Sequence, residues 1–195
     1  MRMTGRKQMS GPSSFKELKH YIRQDLRWVG GHPYRSFISR YLFEPGFRFI
    51  VWLRITRYFF LKGKAWFLLF LLARFRYKHL EYKFSFDISF QAQIGPGLSI
   101  AHYGYIIVSS NTKIGANCSL KPGVVFGKKL TRQTGGAVVG DNVEFGVGSK
   151  VVGDVTIGSN VIVGANAVIV KDIPDNCVVA GVPAKVIRFL NTGDN

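Results

Sequence analysis

The stretch GDNVEFGVGSKVVGDVTIGSNVIVGANAVIVKDIPDN, residues 140–176, decides the fold. In and just before it, an aliphatic or aromatic residue recurs at every sixth position, at Val139, Phe145, Val151, Ile157, Val163 and Ile169. A helix turns every 3.6 residues, so a strict period of six would drift around its surface. A solenoid with three short strands per coil keeps every sixth residue inside. The pattern therefore predicts a parallel β-helix.

The same period runs earlier, at Ile88, Ile94 and Ile100, and then at Val108, Ile114, Leu120 and Phe126. Between these two blocks the step is eight residues, which predicts a bulge around HYGY, residues 102–105. After the second block a longer step predicts that GKKLTRQTGG, residues 127–136, is an extruded loop. Such departures from a repeat often mark functional positions. An all-β sandwich is the alternative fold, but it has no reason to keep a six-residue period.

The net charge of +16 is unevenly distributed along the chain. Residues 1–87 hold 18 Lys and Arg against five Asp and Glu, whereas residues 88–195 hold nine against six. We therefore expect two parts with different surroundings. The predicted boundaries are a tail at 1–14, a helical, basic and aromatic region at 15–86, the β-helix domain at 87–188 and a second tail at 189–195.

Several features favour a cytoplasmic protein. The start of the chain, MRMTGRKQMSGPSS, lacks the apolar core of a secretory signal. The longest charge-free apolar run near the aromatic segment, Ala65–Ala73, is far shorter than the ~18–20 residues that span a bilayer. Two cysteines, Cys118 and Cys177, form neither a disulfide framework nor a metal-binding spacing. We expect no bound metal.

Three stretches carry a family resemblance: FDISFQAQIGPGLSIAHYG at 86–104, residues 140–176, and AGVPAKVIR at 180–188. With them the chain resembles the hexapeptide-repeat acyltransferases, specifically the serine acetyltransferase-like branch, from Asp87 to Arg188. The HYGY bulge also resembles acetyltransferases of exopolysaccharide gene clusters. The resemblance implies a left-handed parallel β-helix, a homotrimer with active sites between subunits, and an O-acetyltransferase that uses acetyl-CoA.

His102 is the candidate general base. An acceptor hydroxyl is a poor nucleophile, so a base must take its proton as it attacks the thioester carbonyl. Histidine, with a reference pKa of ~6.5, suits that role. The family places an aspartate 15 residues before the histidine, and Asp87 stands at that spacing, where it would orient the imidazole. An exposed turn histidine and a surface aspartate are the structural alternatives.

The resemblance also implies a path for acetyl-CoA along the β-helix. Small residues at the turns would line it, and lysines would meet the nucleotide phosphates as point charges. The candidates are Gly146, Val147, Gly164 and Ala165 for the pantetheine arm, and Lys171, Gly181 and Lys185 for the nucleotide end. Lys128 and Lys129 of the extruded loop are further candidates.

The acceptor prediction rests on two departures from the family pattern. Serine acetyltransferases carry an aspartate where this chain has Ala101, and an Arg-His pair where it has Gly135 and Gly136. Losing the groups that hold a zwitterion favours a neutral hydroxyl on a sugar or glycan, including a lipid-linked one, in surface polysaccharide biosynthesis. Ala101, Tyr103 and Gly136 are then the candidate acceptor-binding residues. Serine remains the alternative acceptor.

The N-terminal region allows two interpretations. Residues 15–29 have helical spacing, and the stretch from Phe47 to Phe84 is apolar, aromatic and basic, with a break at Gly63. Such a composition suits a peripheral helix on anionic lipid, at the cytoplasmic face of the inner membrane. It also suits apolar helices packed in a trimer, with Lys and Arg stems reaching outward. Both interpretations remain open.

Two other functional classes fit less well. The basic charge suggests nucleic-acid binding, but the charged segment is too apolar for a solvated groove and contains no recognition motif. We therefore expect no nucleic-acid partner. A carbonic-anhydrase-like β-helix would need several histidines as metal ligands, and the predicted β-helix contains one, His102.

Overall fold

The computed structural model describes residues 11–28, 37–127 and 135–190. Within these ranges the N-terminal part is helical: α1 is Phe15–Trp28, α2 Phe37–Phe43, α3 Pro45–Lys62 and α4 Phe67–Phe84. A short 3₁₀ turn, Lys64–Trp66, connects α3 to α4 after the break at Gly63. The outer parts of the predicted tails (1–10 and 191–195) and most of the predicted extruded loop (128–134) lie outside the described residues.

Short strands follow the helices and form three sheets. Sheet A contains β1 (Phe86–Ile88), β4 (Ile106–Val108), β7 (Val125–Gly127), β10 (Lys150–Val152) and β13 (Val168–Ile169). Sheet B contains β2 (Gln93–Ile94), β5 (Lys113–Ile114), β8 (Val138–Val139) and β11 (Thr156–Ile157). Sheet C contains β3 (Ser99–Ile100), β6 (Ser119–Leu120), β9 (Glu144–Phe145), β12 (Val161–Val163), β14 (Cys177–Ala180) and β15 (Lys185–Phe189).

The chain visits the sheets in the order A, B, C and then returns to A one coil further on. Neighbouring strands within each sheet are parallel, except that β15 turns back antiparallel to β14. In the regular coils Glu144 pairs with Ile162, a step of 18 residues. The first coil is longer because of the bulge, so Ser99 pairs with Ser119. The predicted parallel β-helix with an N-terminal helical region is confirmed.

The recurring sixth residues form the interior of the solenoid. From Ile88 to Ile169, each of these aliphatic and aromatic residues is at most 4% exposed. The rings of Phe126 on β7 and Phe145 on β9 pack edge to face in this interior, with their centroids 5.1 Å apart. Full burial of a side chain of this size is worth about 1.5–3 kcal/mol. The repeat therefore supplies one continuous hydrophobic core.

The turns define three corners, which we name by the sheets they connect: A–B, B–C and C–A. An asparagine ladder runs down the B–C corner through Asn117, Asn142, Asn160 and Asn176. Their φ angles are 56° or 57°, a left-handed conformation that asparagine tolerates well. Each side-chain amide donates to the oxygen of the next asparagine, at 3.2, 3.0 and 2.8 Å. The ladder keeps successive coils in register.

A buried ion pair caps the first coil. Arg54 of α3 holds both carboxylate oxygens of Asp25 of α1, with Nε–Oδ2 and Nη2–Oδ1 distances of 2.9 and 3.0 Å. The same guanidinium donates to the carbonyls of Ile94 and Gly95, each at 2.6 Å. The Asp25 carboxylate also accepts the Gly97 and Leu98 amides, each at 2.8 Å.

This cap supplies the hydrogen-bond acceptors that a preceding coil would have supplied. Lower in the B–C corner, Asn117 donates its backbone N–H to Pro96 of the coil above, and Asn142 donates to Ala116. Gly97 holds the corresponding position in the first coil and donates to Asp25 instead. Buried backbone groups need such partners. The helices therefore complete the hydrogen bonding of the first coil.

An aromatic junction fixes α3 and α4 against β1. The Phe49 ring lies 4.9 Å from the Tyr77 ring and 4.8 Å from the Phe86 ring, centroid to centroid. The buried Tyr77 hydroxyl donates to the Ile88 carbonyl. Burial raises the pKa of Tyr77 well above its usual value, and Asp87 contributes to that rise. The helical region thus supports the strand that carries Asp87.

Candidate active site

The predicted bulge is present and opens the C–A corner. Residues 101–105 connect β3 to β4, and the side chains of His102, Tyr103 and Tyr105 are exposed. Gly104, at φ +133°, donates its N–H to the Phe84 carbonyl at the end of α4, at 3.1 Å. This contact holds the backbone of the bulge while the His102 imidazole faces outward.

Below the bulge, the turns of the C–A corner form a column of short residues. The Tyr105 carbonyl accepts the N–H of Gly123 at 2.6 Å, in the turn that also contains Pro122. Gly148 donates to Pro122, and Asn166 donates to Val147, both at 2.8 Å. The next turn down, after β14, contains Gly181. His102 therefore stands at one end of a column that continues through successive coils.

Most of the predicted acetyl-CoA path lies in this column. Gly146 and Val147 follow β9, Gly164 and Ala165 follow β12, and Gly181 follows β14. A Cβ atom on Gly146 would lie 2.7 Å from the Ala165 nitrogen, so no side chain fits between these turns. Val147 and Ala165 are exposed, as is Lys185 at the start of β15. The column is a surface of backbone and short side chains, open to a long flexible ligand.

Two predicted residues lie elsewhere in the same chain. Gly136 is at the A–B corner, where an added Cβ would lie 2.6 Å from the backbone of Asn111. Lys171 is exposed at the A–B corner two coils below. The structure therefore does not bring Gly136 or Lys171 to the C–A corner of their own subunit. Lys128 and Lys129 lie outside the described residues.

Asp87 lies on the sheet-A side of the C–A corner. It is the outward-facing residue of β1 and pairs with Ile107 of β4, two residues after the bulge ends. The pairing of β1 with β4, the strand after the bulge, thus brings Asp87 and His102 to the same end of the solenoid. Among the hydrogen bonds and ion pairs of the described residues, none connects the Asp87 carboxylate to the His102 imidazole.

Lys150 is a contributor to this corner that the sequence did not reveal. Its ammonium donates to the Gly123 carbonyl at 3.0 Å and to the Gly148 carbonyl at 2.6 Å. It thereby connects two successive turns of the column below the bulge. The repeat places residue 150 on the outer face of β10, and nothing in the periodicity distinguishes a bridging lysine there from a solvated one.

Gly46 is a second residue that only the structure identifies. It is buried in the first turn of α3, which packs directly against β3. A Cβ atom built on Gly46 would lie 2.0 Å from the carbonyl oxygen of Ile100. Ile100 is two residues before His102. The close approach of α3 therefore fixes the backbone from which the bulge starts.

We expect Gly46→Ala to displace α3 from β3, because the Ile100 oxygen is backbone and cannot rotate away. The expected cost is about 1–3 kcal/mol of unfolding free energy, with a reduced kcat for any reaction that uses His102. Gly63→Ala is the matched control, since Gly63 has open space around it but a φ of +79°. The control should lose stability without losing kcat. Wild-type stability and kcat in Gly46→Ala would contradict this role of the α3–β3 contact.

Comparison with known proteins matches the repeat directly. Residues 136–171 match the family described as bacterial transferase hexapeptide (six repeats). Solved structures of serine acetyltransferases superpose on most of the chain, helices included. Residues 136–171 carry the hexapeptide repeat of that family, and the chain is similar to acyltransferases built on it. Its exposed histidine therefore lies on a scaffold that related proteins use for acyl transfer.

Two solved structures illustrate the likeness of this hexapeptide-repeat protein. Neisseria gonorrhoeae serine acetyltransferase in complex with serine is 28% identical, with a TM-score of 0.75, covering 90% of this chain and 71% of that one. Serine acetyltransferase from Brucella abortus in complex with coenzyme A is 26% identical, with a TM-score of 0.77, covering 91% and 70%.

Proteins similar in sequence to this hexapeptide-repeat protein are also named serine acetyltransferases. A serine acetyltransferase of Buchnera aphidicola is 27% identical over 91% of this chain and 64% of its own length. One from Mycobacterium tuberculosis is 38% identical over 52% of this chain and 44% of its own length. The chain spans less than two thirds of the length of these curated relatives.

The comparisons contradict the predicted sugar or glycan acceptor. The relatives and the solved structures are serine acetyltransferases, which supports the alternative acceptor rather than polysaccharide biosynthesis. The prediction relied on the loss of polar groups at Ala101, Gly135 and Gly136, which would remove the charges that hold a zwitterion. The structure places Ala101 at the C–A corner and Gly136 at the A–B corner, so their small side chains do not together define a pocket within one subunit.

Proposed function

We propose that this protein is a serine O-acetyltransferase that uses acetyl-CoA. The observation that carries the proposal is the C–A corner, where an exposed histidine stands at the end of a column of small turn residues. A thioester donor with a long pantetheine arm fits such a column, and the base stands where the arm would end. The serine acetyltransferases among the relatives and neighbours support serine as the acceptor.

In this proposal His102 acts as the general base. It takes the proton from the serine hydroxyl as the oxygen attacks the thioester carbonyl and forms a tetrahedral oxyanion. The intermediate then collapses, the C–S bond breaks, and the imidazolium returns its proton to the coenzyme A thiolate. The products are O-acetylserine and coenzyme A. Asp87 is proposed to hold the imidazole in the productive tautomer once substrates are bound.

We further propose that the path for acetyl-CoA follows Gly146, Val147, Gly164 and Ala165 down the C–A corner. Gly181 and Lys185 lie at the lower end of the column and would receive the nucleotide. The four residues along the pantetheine arm need no charge, since the amides of the arm can form hydrogen bonds with backbone groups. Lys185 is exposed and supplies a cation where the phosphates would lie.

The active unit is proposed to be a homotrimer with sites between subunits. Within one chain, Gly136 and Lys171 lie at the A–B corner, away from His102. A neighbouring subunit that placed its A–B corner against this C–A corner would bring both halves together. Ala101 and Tyr103 of one subunit and Gly136 of the next would then surround the serine.

We propose that the enzyme works in the cytoplasm. The two cysteines are free and buried, as a reducing compartment permits. Burial raises the pKa of the Cys118 thiol to about 12 and also raises that of Cys177. Both thiols therefore stay protonated and unreactive at neutral pH.

Thiol release from acetyl-CoA tests the proposed reaction, and the unreactive cysteines give the folded protein little background with a thiol reagent. We expect release to depend on L-serine, with one O-acetylserine formed for each coenzyme A. Glycine serves as a control that retains the ammonium and carboxylate but lacks the hydroxyl. Release at equal rates with glycine, or none with serine, would overturn the proposed function.

A further inference from the structure

The hairpin formed by α3 and α4 carries a continuous apolar surface. Nine large apolar side chains between residues 60 and 75 are 38–81% exposed. The most exposed are Leu68 at 71%, Leu72 at 61% and Phe75 at 81%. We call residues 60–78 the hairpin face. Exposed apolar groups are common singly, but a contiguous set of this kind marks an interaction surface.

The first half of α4 is apolar around its whole circumference. Phe67, Leu68 and Leu69 are consecutive, so they point in different directions, yet each is at least 42% exposed. A helix that packed against its own domain would show one apolar stripe instead. Burial begins further along, at Ala73 and Tyr77. Phe60 and Phe70 pack against Phe90 of the solenoid, with ring centroids 5.3 and 5.7 Å away, and the remaining apolar groups of the tip are exposed on several sides.

The hairpin face is also strongly basic. It contains five Lys and Arg, and the chain has no Asp or Glu between Glu44 and Glu81. Arg74 and Lys78 both contact the Glu81 carboxylate, at 3.1 and 3.2 Å. Lys62 and Lys64 are exposed on either side of Gly63 at the hairpin tip. Positive charge is therefore concentrated beside the most exposed apolar residues.

We propose that the hairpin face lies in the surface of an anionic lipid membrane. Anionic headgroups complement Lys62 and Lys64, while Trp66, Phe67 and Leu68 would enter the boundary between headgroups and acyl chains. A second copy of the chain would instead bring two sets of cations together without a compensating carboxylate. Within the described residues, no helix is long and apolar enough to cross a membrane. The proposed contact lies in the membrane plane.

The geometry leaves the C–A corner free of the lipid. The N-terminal turn of α3 packs against β3, and the hairpin tip is at the other end of this 18-residue helix. A helix of this length is about 27 Å long. Membrane contact at the tip and chemistry at His102 are therefore separate properties, and one can fail while the other holds.

Vesicle flotation of the full chain tests this proposal. The vesicles are phosphatidylcholine with and without a third of phosphatidylglycerol, at about 0.1 M salt and again at about 0.5 M. We expect flotation with the anionic vesicles, and its loss at high salt because surface charges are screened. Lys62→Gln with Lys64→Gln should weaken partitioning roughly 30-fold, since each basic residue near such a surface contributes about a fivefold step.

Apolar variants test whether the hairpin face itself enters the lipid. Leu68→Ser with Leu72→Ser should weaken flotation at least tenfold, by the area of apolar surface removed. Ile162→Ser with Ile187→Ser is the matched control, because both side chains are exposed on sheet C, at 40% and 64%. The control should float like the wild type.

Three results would overturn the proposal. The first is that the wild-type protein stays at the bottom of the gradient with anionic vesicles. The second is that the Leu68 and Leu72 variant floats as well as the wild type. The third is that light scattering shows a smaller mass in solution for this variant than for the wild type, which would identify a second copy of the chain as the occupant of the hairpin face.

Discussion

His102→Ala is expected to lower kcat for acetyl transfer to serine by a factor of about 10² to 10⁴, the range found when a positioned general base is removed. The physical reason is that the serine hydroxyl then has to attack without a group that takes its proton. The His102 side chain is exposed, so its truncation should change the free energy of unfolding by less than about 0.5 kcal/mol. Steady-state thiol release and denaturant unfolding measure the two quantities.

His79→Ala is the matched control for this prediction. His79 is an exposed histidine on α4, away from the bulge, and its removal should leave kcat unchanged. His102→Gln adds a further distinction, because glutamine can donate a hydrogen bond but cannot act as a base, and it should be as impaired as alanine. Wild-type kcat in either His102 variant would remove the proposed mechanism.

Asp25→Ala is expected to destabilise the fold by about 3–5 kcal/mol, the usual cost of removing one partner of a buried ion pair. The variant would leave the Arg54 guanidinium buried without its carboxylate, and the Gly97 and Leu98 amides without an acceptor. Because the cap holds the first coil, the bulge that follows it should loosen as well. Denaturant unfolding would detect the loss of stability, and hydrogen exchange would detect faster opening near Leu98.

The ion pair of the exposed Lys78 with Glu81 provides the comparison for this prediction. Lys78→Ala removes a contact to Glu81, but the Lys78 side chain is 41% exposed and Arg74 still contacts the carboxylate. Because Lys78 is exposed and the buried Glu81 keeps its contact with Arg74, we expect this variant to lose only about 0–1 kcal/mol. If Asp25→Ala cost no more than Lys78→Ala, the cap would not be what stabilises the first coil.

The solenoid could be predicted from the sequence because its signal is local and repeated. Each sixth residue from Val139 to Ile169 needs only to be apolar, and the position of one strand predicts that of the next. The eight-residue step before Val108 located the bulge for the same reason. The cap could not be predicted, because Asp25 and Arg54 are 29 positions apart and nothing periodic relates them. The contact of Gly46 with Ile100 is equally non-local.

The candidate site was predictable in part. The period assigned Gly146 and Gly164 to equivalent turns, which the structure places in one column with the His102 bulge. Gly136 and Lys171 belong to a different corner, as a count of the six-residue steps in threes would have indicated, since each of them follows a sheet-A strand. The acceptor prediction was wrong because it took the missing polar groups at Ala101 and Gly136 as decisive, whereas the similar proteins are serine acetyltransferases.

A crystal structure of the full chain with coenzyme A and serine tests the proposed active site most directly. We expect the pantetheine arm to follow Val147 and Ala165 along the C–A corner, with the serine hydroxyl about 2.6–3.2 Å from a nitrogen of His102. A coenzyme A molecule bound along the asparagine ladder of the B–C corner, or with its sulfur directed away from His102, would contradict the proposed site.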